Sequence, residues 1–220
     1  MTESARSEHA APAPVDALPS DAEQAILLAA ATCFAERGFA ATSVDEVARR
    51  MGYTKGRVYH YFRSKTELFI AAASYGLDRL VVEVWPEAEC ASPPEKRLAA
   101  MARAHVLTQI RDLPYHRVML QGVTMVVRGA TTPEERIMQE RFVARQRDYE
   151  QIFRDVIEEG RSLGVFSNVS LSLQVKTALL ALNGACFWFS ERDGQTPEEI
   201  TALADQLVGL TLNGVCGADR

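Results

Sequence analysis

The chain has 220 residues, 47% of them hydrophobic, enough for one sizeable core or for a small module joined to a larger one. Its net charge of −5 and isoelectric point near 5.5 argue against a protein that coats nucleic acid regardless of sequence. No apolar run approaches the ~20 residues of a membrane span. Cys33, Cys90, Cys186 and Cys216 form no C-x-x-C pair, so free thiols in a reducing cytoplasm are expected.

Residues 1–19 are polar, rich in Pro and Ala, and lack the apolar centre of a signal peptide, which predicts a disordered arm. Beyond it, Ser or Thr is followed three residues later by Glu at Ser20, Ser43, Ser64, Ser92, Thr132 and Thr196, the spacing of a capping box. The last three also place Pro where a missing N–H costs nothing. The first helix is predicted from about Asp21 to Arg37, with Gly38 as its stop, and the second from Val44 to Met51. After a turn at Gly52 and Tyr53, a third short helix covers Lys55 to Tyr61, with Val58 and Phe62 inward. A fourth runs from the Ser64 cap to about Val84. After a break from Pro86 to Pro94, helices are expected at about Glu95–Ile110, Tyr115–Val127, Pro133–Glu159, Leu171–Glu191 and Pro197–Asn213. No stretch alternates as a strand would. The expectation is an all-α fold of about nine helices: a three-helix helix-turn-helix head at 20–67 and a larger helical body at 68–220 for ligand binding and dimerisation.

Charge is unevenly spread. Residues 20–70 carry a net +1, residues 1–19 a net −2 and residues 71–220 a net −4. Between Arg49 and Lys65 six Lys or Arg occur with no Asp or Glu among them. A tight turn followed by a short basic, aromatic helix suits entry into a major groove. Lys55 and Arg57 have the donors that meet guanine O6 and N7, while Thr42, Tyr53 and Lys65 are candidate phosphate clamps. Tyr59 and His60 offer further donors at the groove wall. Tyr61 and Phe62 read as core, and Arg49 and Arg50 as solvated charge.

Ile26 to Phe69 resembles the N-terminal domain of the TetR family of transcriptional regulators. The matching residues include Ala30, Phe34, Gly38, Thr42, Val47, Gly52, Tyr59, Tyr61, Phe62, Lys65 and Leu68, and the run Gly52–Lys65 (GYTKGRVYHYFRSK) is the specific part. The resemblance implies contacts with a double-stranded DNA operator through Thr42, Tyr53, Thr54, Lys55, Arg57, Tyr59, His60 and Lys65. Arg57 departs from the family pattern, which often has Ser, Thr or Ala there, and its role as a base or phosphate contact stays open.

A single short reading helix needs a twin, so a homodimer is expected. Its seam is predicted from Leu173, Thr177, Leu180, Gly184, Phe187, Leu203, Leu207 and Leu210. The middle helices mix bulky apolar groups with a few neutral polar ones, as a small-molecule pocket would. Met101, His105, Gln109, Tyr115, Met119, Phe142, Gln146, Tyr149, Asn183 and Trp188 are its candidate lining, with ordinary core packing as the competing reading. The tail, from Glu158-Glu-Gly160 through Trp188–Gly194 to Thr196–Ile200, is weakly similar to TetR-family members that respond to acyl-CoA thioesters. Arg136, Arg141, Arg145 and Arg147 are candidate phosphate partners, or simply a solvated face.

Tyr61 and Lys65 match the spacing of a dehydrogenase pair, but no glycine-rich dinucleotide motif accompanies them. His9, His60, His105 and His116 lack metal-ligand spacing. No enzymatic activity, cofactor, metal or membrane association is expected. The sequence thus predicts a ligand-released repressor on a palindromic operator. An effector-independent regulator and a helical adaptor without DNA affinity stand as alternatives.

Overall fold

A computed structural model describes residues 19–126 and 132–215, the side chains of 123–126 and 215 excepted. Residues 1–18 of the expected arm, with His9, lie outside the described residues, as do Val127, Cys216 and the side chain of Met125. Ten helical segments and no strand occur among the described residues: α1 (Asp21–Ala41), α2 (Val44–Arg50), α3 (Lys55–Tyr61), α4 (Lys65–Glu89), α5 (Pro94–Arg111), α6 (Leu113–Val126), α7 (Pro133–Ser162), α8 (Leu171–Asn183), α9 (Ala185–Trp188) and α10 (Pro197–Val215). The all-α class holds.

Capping explains most of the starts. Ser20, Thr132 and Thr196 form full reciprocal boxes with Glu23, Glu135 and Glu199. Ser43 and Ser64 accept the expected first-turn N–H, but Glu67 turns to the Arg63 amide and Glu46 pairs with Arg37. The Ser92 box does not form; Pro93 takes the cap position with no side-chain bond. Within α1 the chain breaks helical geometry at Gly38 (φ +76°), a left-handed conformation that glycine enters without strain.

Two boundaries differ from expectation. α4 continues through Pro86 to Glu89, because buried Val84 and Ala88 hold its last turns. The carbonyl that Pro86 leaves without a donor belongs to Val82, on the solvent side at 67% exposure. The single helix predicted over 171–191 is split at Gly184 into α8 and α9 and ends at Trp188.

Among the described residues one apolar core runs from Ile26 to Val208. α4 packs against α1, α5, α6 and α7, α1 lies on α6, and α10 on α5 and α8. Phe34, Phe39 and Phe69 interlock where α1 meets α4, their centroids 5.0–5.9 Å apart. Polar ties follow the same seams. Ser64 Oγ donates to Glu135 Oε1 (3.1 Å), Gln121 to the Phe34 carbonyl (3.2 Å) and Arg79 to Asp112 (3.0 Å), while Arg145 pairs with Asp78.

Candidate nucleic-acid interface

The turn between α2 and α3 is closed by amides of Gly52 and Tyr53 bonding back to the carbonyls of Arg49 (3.1 Å) and Ala48 (2.8 Å). Gly52 sits at φ +68°, which demands glycine or accepts strain. From this turn α3 projects with Val58 fully buried and Phe62 behind it. The opposite side, Thr54, Lys55, Gly56, Arg57, Tyr59 and His60, is exposed. The Arg57 guanidinium lies 3.9 Å over the half-buried Tyr53 ring. Lys55 Nζ is 3.0 Å from Asp45 Oδ2 and 5.7 Å from the Tyr59 ring centre, and its hydrogen bond to Asp45 holds its pKa above the usual lysine value.

Two of the candidate phosphate clamps have other work. Thr42 is buried, and its hydroxyl points at the carbonyls of Gly38 (2.8 Å) and Cys33 (3.1 Å). Lys65 reaches the carbonyls of Phe39 (2.8 Å), Thr42 (2.9 Å) and Ala40 (3.4 Å) and lies 4.4 Å over the Phe39 ring. Thr42 closes the end of α1 on itself and Lys65 ties that end to α4, so neither presents its donor outward. Arg50, read as solvated, is paired with Glu36 at 3.0 and 3.1 Å.

In the body, four of the candidate pocket residues meet between α5, α7 and α8. His105 Nδ1 is 2.7 Å from the Tyr149 hydroxyl, and His105 Nε2 is 3.2 Å from Asn183 Oδ1, which also accepts from Gln109 Nε2. Burial pushes His105 down to about 4 and holds the Tyr149 phenol well above its usual value, so both are neutral near pH 7. Gln109 Oε1 is buried and has no partner among the described residues; an unmade bond of this kind costs ~1–3 kcal/mol, which makes it a weak point of the cluster. Met101 is in the core nearby; Tyr115 packs on Tyr75 (5.0 Å) and Phe142 lies beneath Gly122. Met119 is buried and Gln146 half-buried, whereas Trp188, the last residue of α9, is 54% exposed.

A concavity lies elsewhere. A space of about 570 Å³ opens between α5, residues 165–166 and α10, lined by Leu98, Phe166, Val208 and Leu212 with Arg103 and Asp205 at its edge. None of the ten candidate pocket residues lines it. Of the four candidate arginines on α7, Arg145 is committed to Asp78, while Arg136, Arg141 and Arg147 are exposed.

Along the candidate seam, Leu173, Thr177, Leu180, Phe187 and Leu210 stand exposed, Leu180, Phe187 and Leu210 at 70%, 72% and 77%. Gly184, Leu203 and Leu207 are half-buried, the two leucines against the subunit's own core. Sequence reasoning missed Arg117, which donates to the carbonyls of Cys186 and Phe189 (both 2.8 Å) and so anchors α9 to α6. A lone Arg about 70 residues away gave no signal for that contact. Among the described residues no helix is long and apolar enough to cross a membrane.

Comparison with known proteins matches both halves of the chain. Residues 26–72 match the family model described as bacterial regulatory proteins of the tetR family, and residues 91–215 match a tetracyclin repressor-like C-terminal domain. The HTH-type transcriptional activator FasR of Mycolicibacterium smegmatis is 26% identical over 174 residues, 79% of this chain and 75% of that protein. The crystal structure of PfmR, a TetR family transcriptional regulator from Thermus thermophilus, is 30% identical and covers 89% of this chain and 99% of its own, with a TM-score of 0.69. A crystal structure of AibR in complex with isovaleryl coenzyme A and operator DNA, 21% identical over 90% of this chain and 100% of its own, shares the fold with a TM-score of 0.72. The chain therefore belongs to the TetR family of transcriptional regulators.

Proposed function

We propose that this regulator binds a palindromic operator as a homodimer, represses the adjoining gene, and is released by a bulky, mostly apolar effector. The observation that carries the reading is the two-sided build of α3: one buried valine holds it to the core while Lys55, Arg57, Tyr59 and His60 face solvent. The functional division runs at 67/68, with 20–67 as the reading head and 68–220 as the body. The apolar strip of Leu173, Leu180, Phe187 and Leu210 supports a second copy docking there, which supplies the second head. Half-sites about 34–36 Å apart then need both heads in register.

In this reading the effector enters beside the His105, Gln109, Tyr149 and Asn183 cluster and separates α7 from α4. The Ser64–Glu135 and Asp78–Arg145 ties carry that separation into α4, which tilts the head. The effector shifts the balance only by its preference for the splayed state. An acyl-CoA thioester is the class that the likeness to AibR, crystallised with isovaleryl coenzyme A, brings forward. Exposed Arg136, Arg141 and Arg147 suit its phosphates. FasR is named an activator, so the sign of regulation is the part most directly put to the test.

The test is a gel shift of the full chain on DNA flanking its own gene at low salt, repeated with acyl-CoAs of graded chain length, alongside a promoter-reporter assay. No shift overturns the operator reading, and a shift that no acyl-CoA relieves overturns the effector class. A reporter that falls silent without the protein overturns repression. The close packing around His105 favours a second reading, an effector-independent regulator. It requires that no small molecule co-purifies and that no acyl-CoA raises the melting temperature.

A further inference from the structure

The cations of the head differ in what already holds them. Arg37, Arg50 and Lys55 each face an acid of the head itself, Glu46 at 2.8 Å, Glu36 at 3.0 Å and Asp45 at 3.0 Å. Lys65 is occupied by main-chain carbonyls. Arg57 is exposed, lies on α3, and among the described residues makes no ion pair. Its guanidinium carbon instead lies 3.9 Å over the centre of the Tyr53 ring. Arg49 and Arg63 also lack a described ion pair, but they lie off α3 and no ring orients them.

A cation–π contact leaves the N–H donors of a guanidinium free while limiting where the side chain can swing. That suits a bidentate contact with guanine O6 and N7, which needs two N–H groups held in one plane. The neighbouring position keeps the approach open. A Cβ on Gly56 would meet nothing nearer than Thr54 Oγ1 at 4.0 Å, so the fold itself does not require glycine there. Lys55 lies beside it in the first turn, but its charge is compensated by Asp45 and its point-like ammonium has no plane to match.

We propose that Arg57, positioned over the Tyr53 ring, is the residue of α3 that selects sequence, by reading one guanine in each operator half-site, while Lys55 adds affinity without selectivity. Tyr53 acts as a positioning residue. The inference rests on the operator reading above.

The experiment selects duplexes from a random pool with the full-length protein. Binding of the variants is then compared on the selected site, on sites with each guanine replaced, and on a scrambled duplex at equal salt. The selected sites should share one guanine at mirrored positions. Arg57→Ala should weaken the selected site about 10- to 100-fold, leave the scrambled duplex nearly unchanged, and lose preference at that position. Arg57→Lys keeps the charge but should lose most of the preference. Tyr53→Phe should keep the preference and Tyr53→Leu should weaken it, while Lys55→Ala should lower both duplexes alike. Equal losses on selected and scrambled DNA for Arg57→Ala would make Arg57 a phosphate contact and overturn the inference, as would loss of preference in Lys55→Ala alone. A wild type that binds neither duplex overturns the operator reading itself.

Discussion

On α3, polar side chains stand in solvent around one buried valine; between α5, α7 and α8, three buried polar side chains and half-buried Asn183 direct their hydrogen bonds at one another. The difference separates two kinds of functional residue. The fold does not need Thr54, Gly56, Arg57 or His60 for its core, so their identities are free to serve a partner. His105, Gln109, Tyr149 and Asn183 cannot be changed without cost to the protein's own stability. Any role they have in sensing is coupled to that stability. A head specified by exposed identity and a body specified by buried contacts should therefore answer substitution differently.

The largest effect should come where the contrast vanishes. Phe34 is fully buried and packs edge-on against Phe69 at 5.0 Å, in the core that head and body share. Phe34→Ala should cost about 3–5 kcal/mol, read as a shift in the urea midpoint. Because the core is continuous, tertiary fluorescence and helical circular dichroism should move together in one transition. Two separated transitions would show that the head unfolds on its own and that the shared core does not couple them.

The seam should come next. Leu180→Glu or Phe187→Glu places a charge in the exposed apolar strip without touching the subunit's own core. Sedimentation should then report a single subunit with an unchanged melting curve at low concentration. Operator affinity should fall by roughly 100-fold or more, since the second head no longer binds at high local concentration. Dimers that persist in both variants would move the seam off α8 and α9.

A pH series sharpens the comparison from the body's side. His105 is lowered to about 4 by burial, and His116 to about 3 by burial first and then by nearby His105, Arg111 and Arg79. An unfolded chain takes up protons near pH 6.5 that these buried rings refuse, so stability is full above that value and falls as the pH drops toward 4 and 3. By about pH 5 each ring should account for a loss of roughly 2 kcal/mol. His116→Leu should flatten the urea-measured slope between about pH 6.5 and 5. A slope unchanged in that variant would show that His116 is already protonated in the fold or never buried.

How much of this was legible in the sequence follows the same line. The start of α3 came from the turn at Gly52 and Tyr53 and the inward turn of Val58 from local spacing, signals that act within a turn or two. Thr42 and Lys65 looked like phosphate clamps because sequence shows a donor but not its acceptor. Their acceptors are carbonyls at the end of α1, up to 26 residues away. The candidate pocket list contained the four residues of the polar cluster, but spacing could not show that Gln109 and Asn183, 74 positions apart, would satisfy each other. Nor could it show that the helix would be interrupted at Gly184 and end at Trp188, which stands exposed. The Ser92 box failed because Pro93 occupies the cap position, a local rule overruled by the next residue.

The smallest effect belongs to the exposed ion pairs that bind α1 to α2. Arg50 meets Glu36 through two nitrogens at 3.0 and 3.1 Å, which is good geometry, yet both side chains are about half exposed. In that setting solvent screens the attraction, and fixing two long side chains costs entropy that offsets most of the gain. Arg50→Ala should therefore change stability by less than about 1 kcal/mol, and salt should shrink the difference further. The same substitution removes a cation from the head, so it should weaken specific and nonspecific DNA by a similar, small factor and lower the salt dependence slightly. If Arg50→Ala instead unfolded the head, the bidentate pair would be fixing the angle between α1 and α2, and the head would depend on its surface charges for shape as well as for binding.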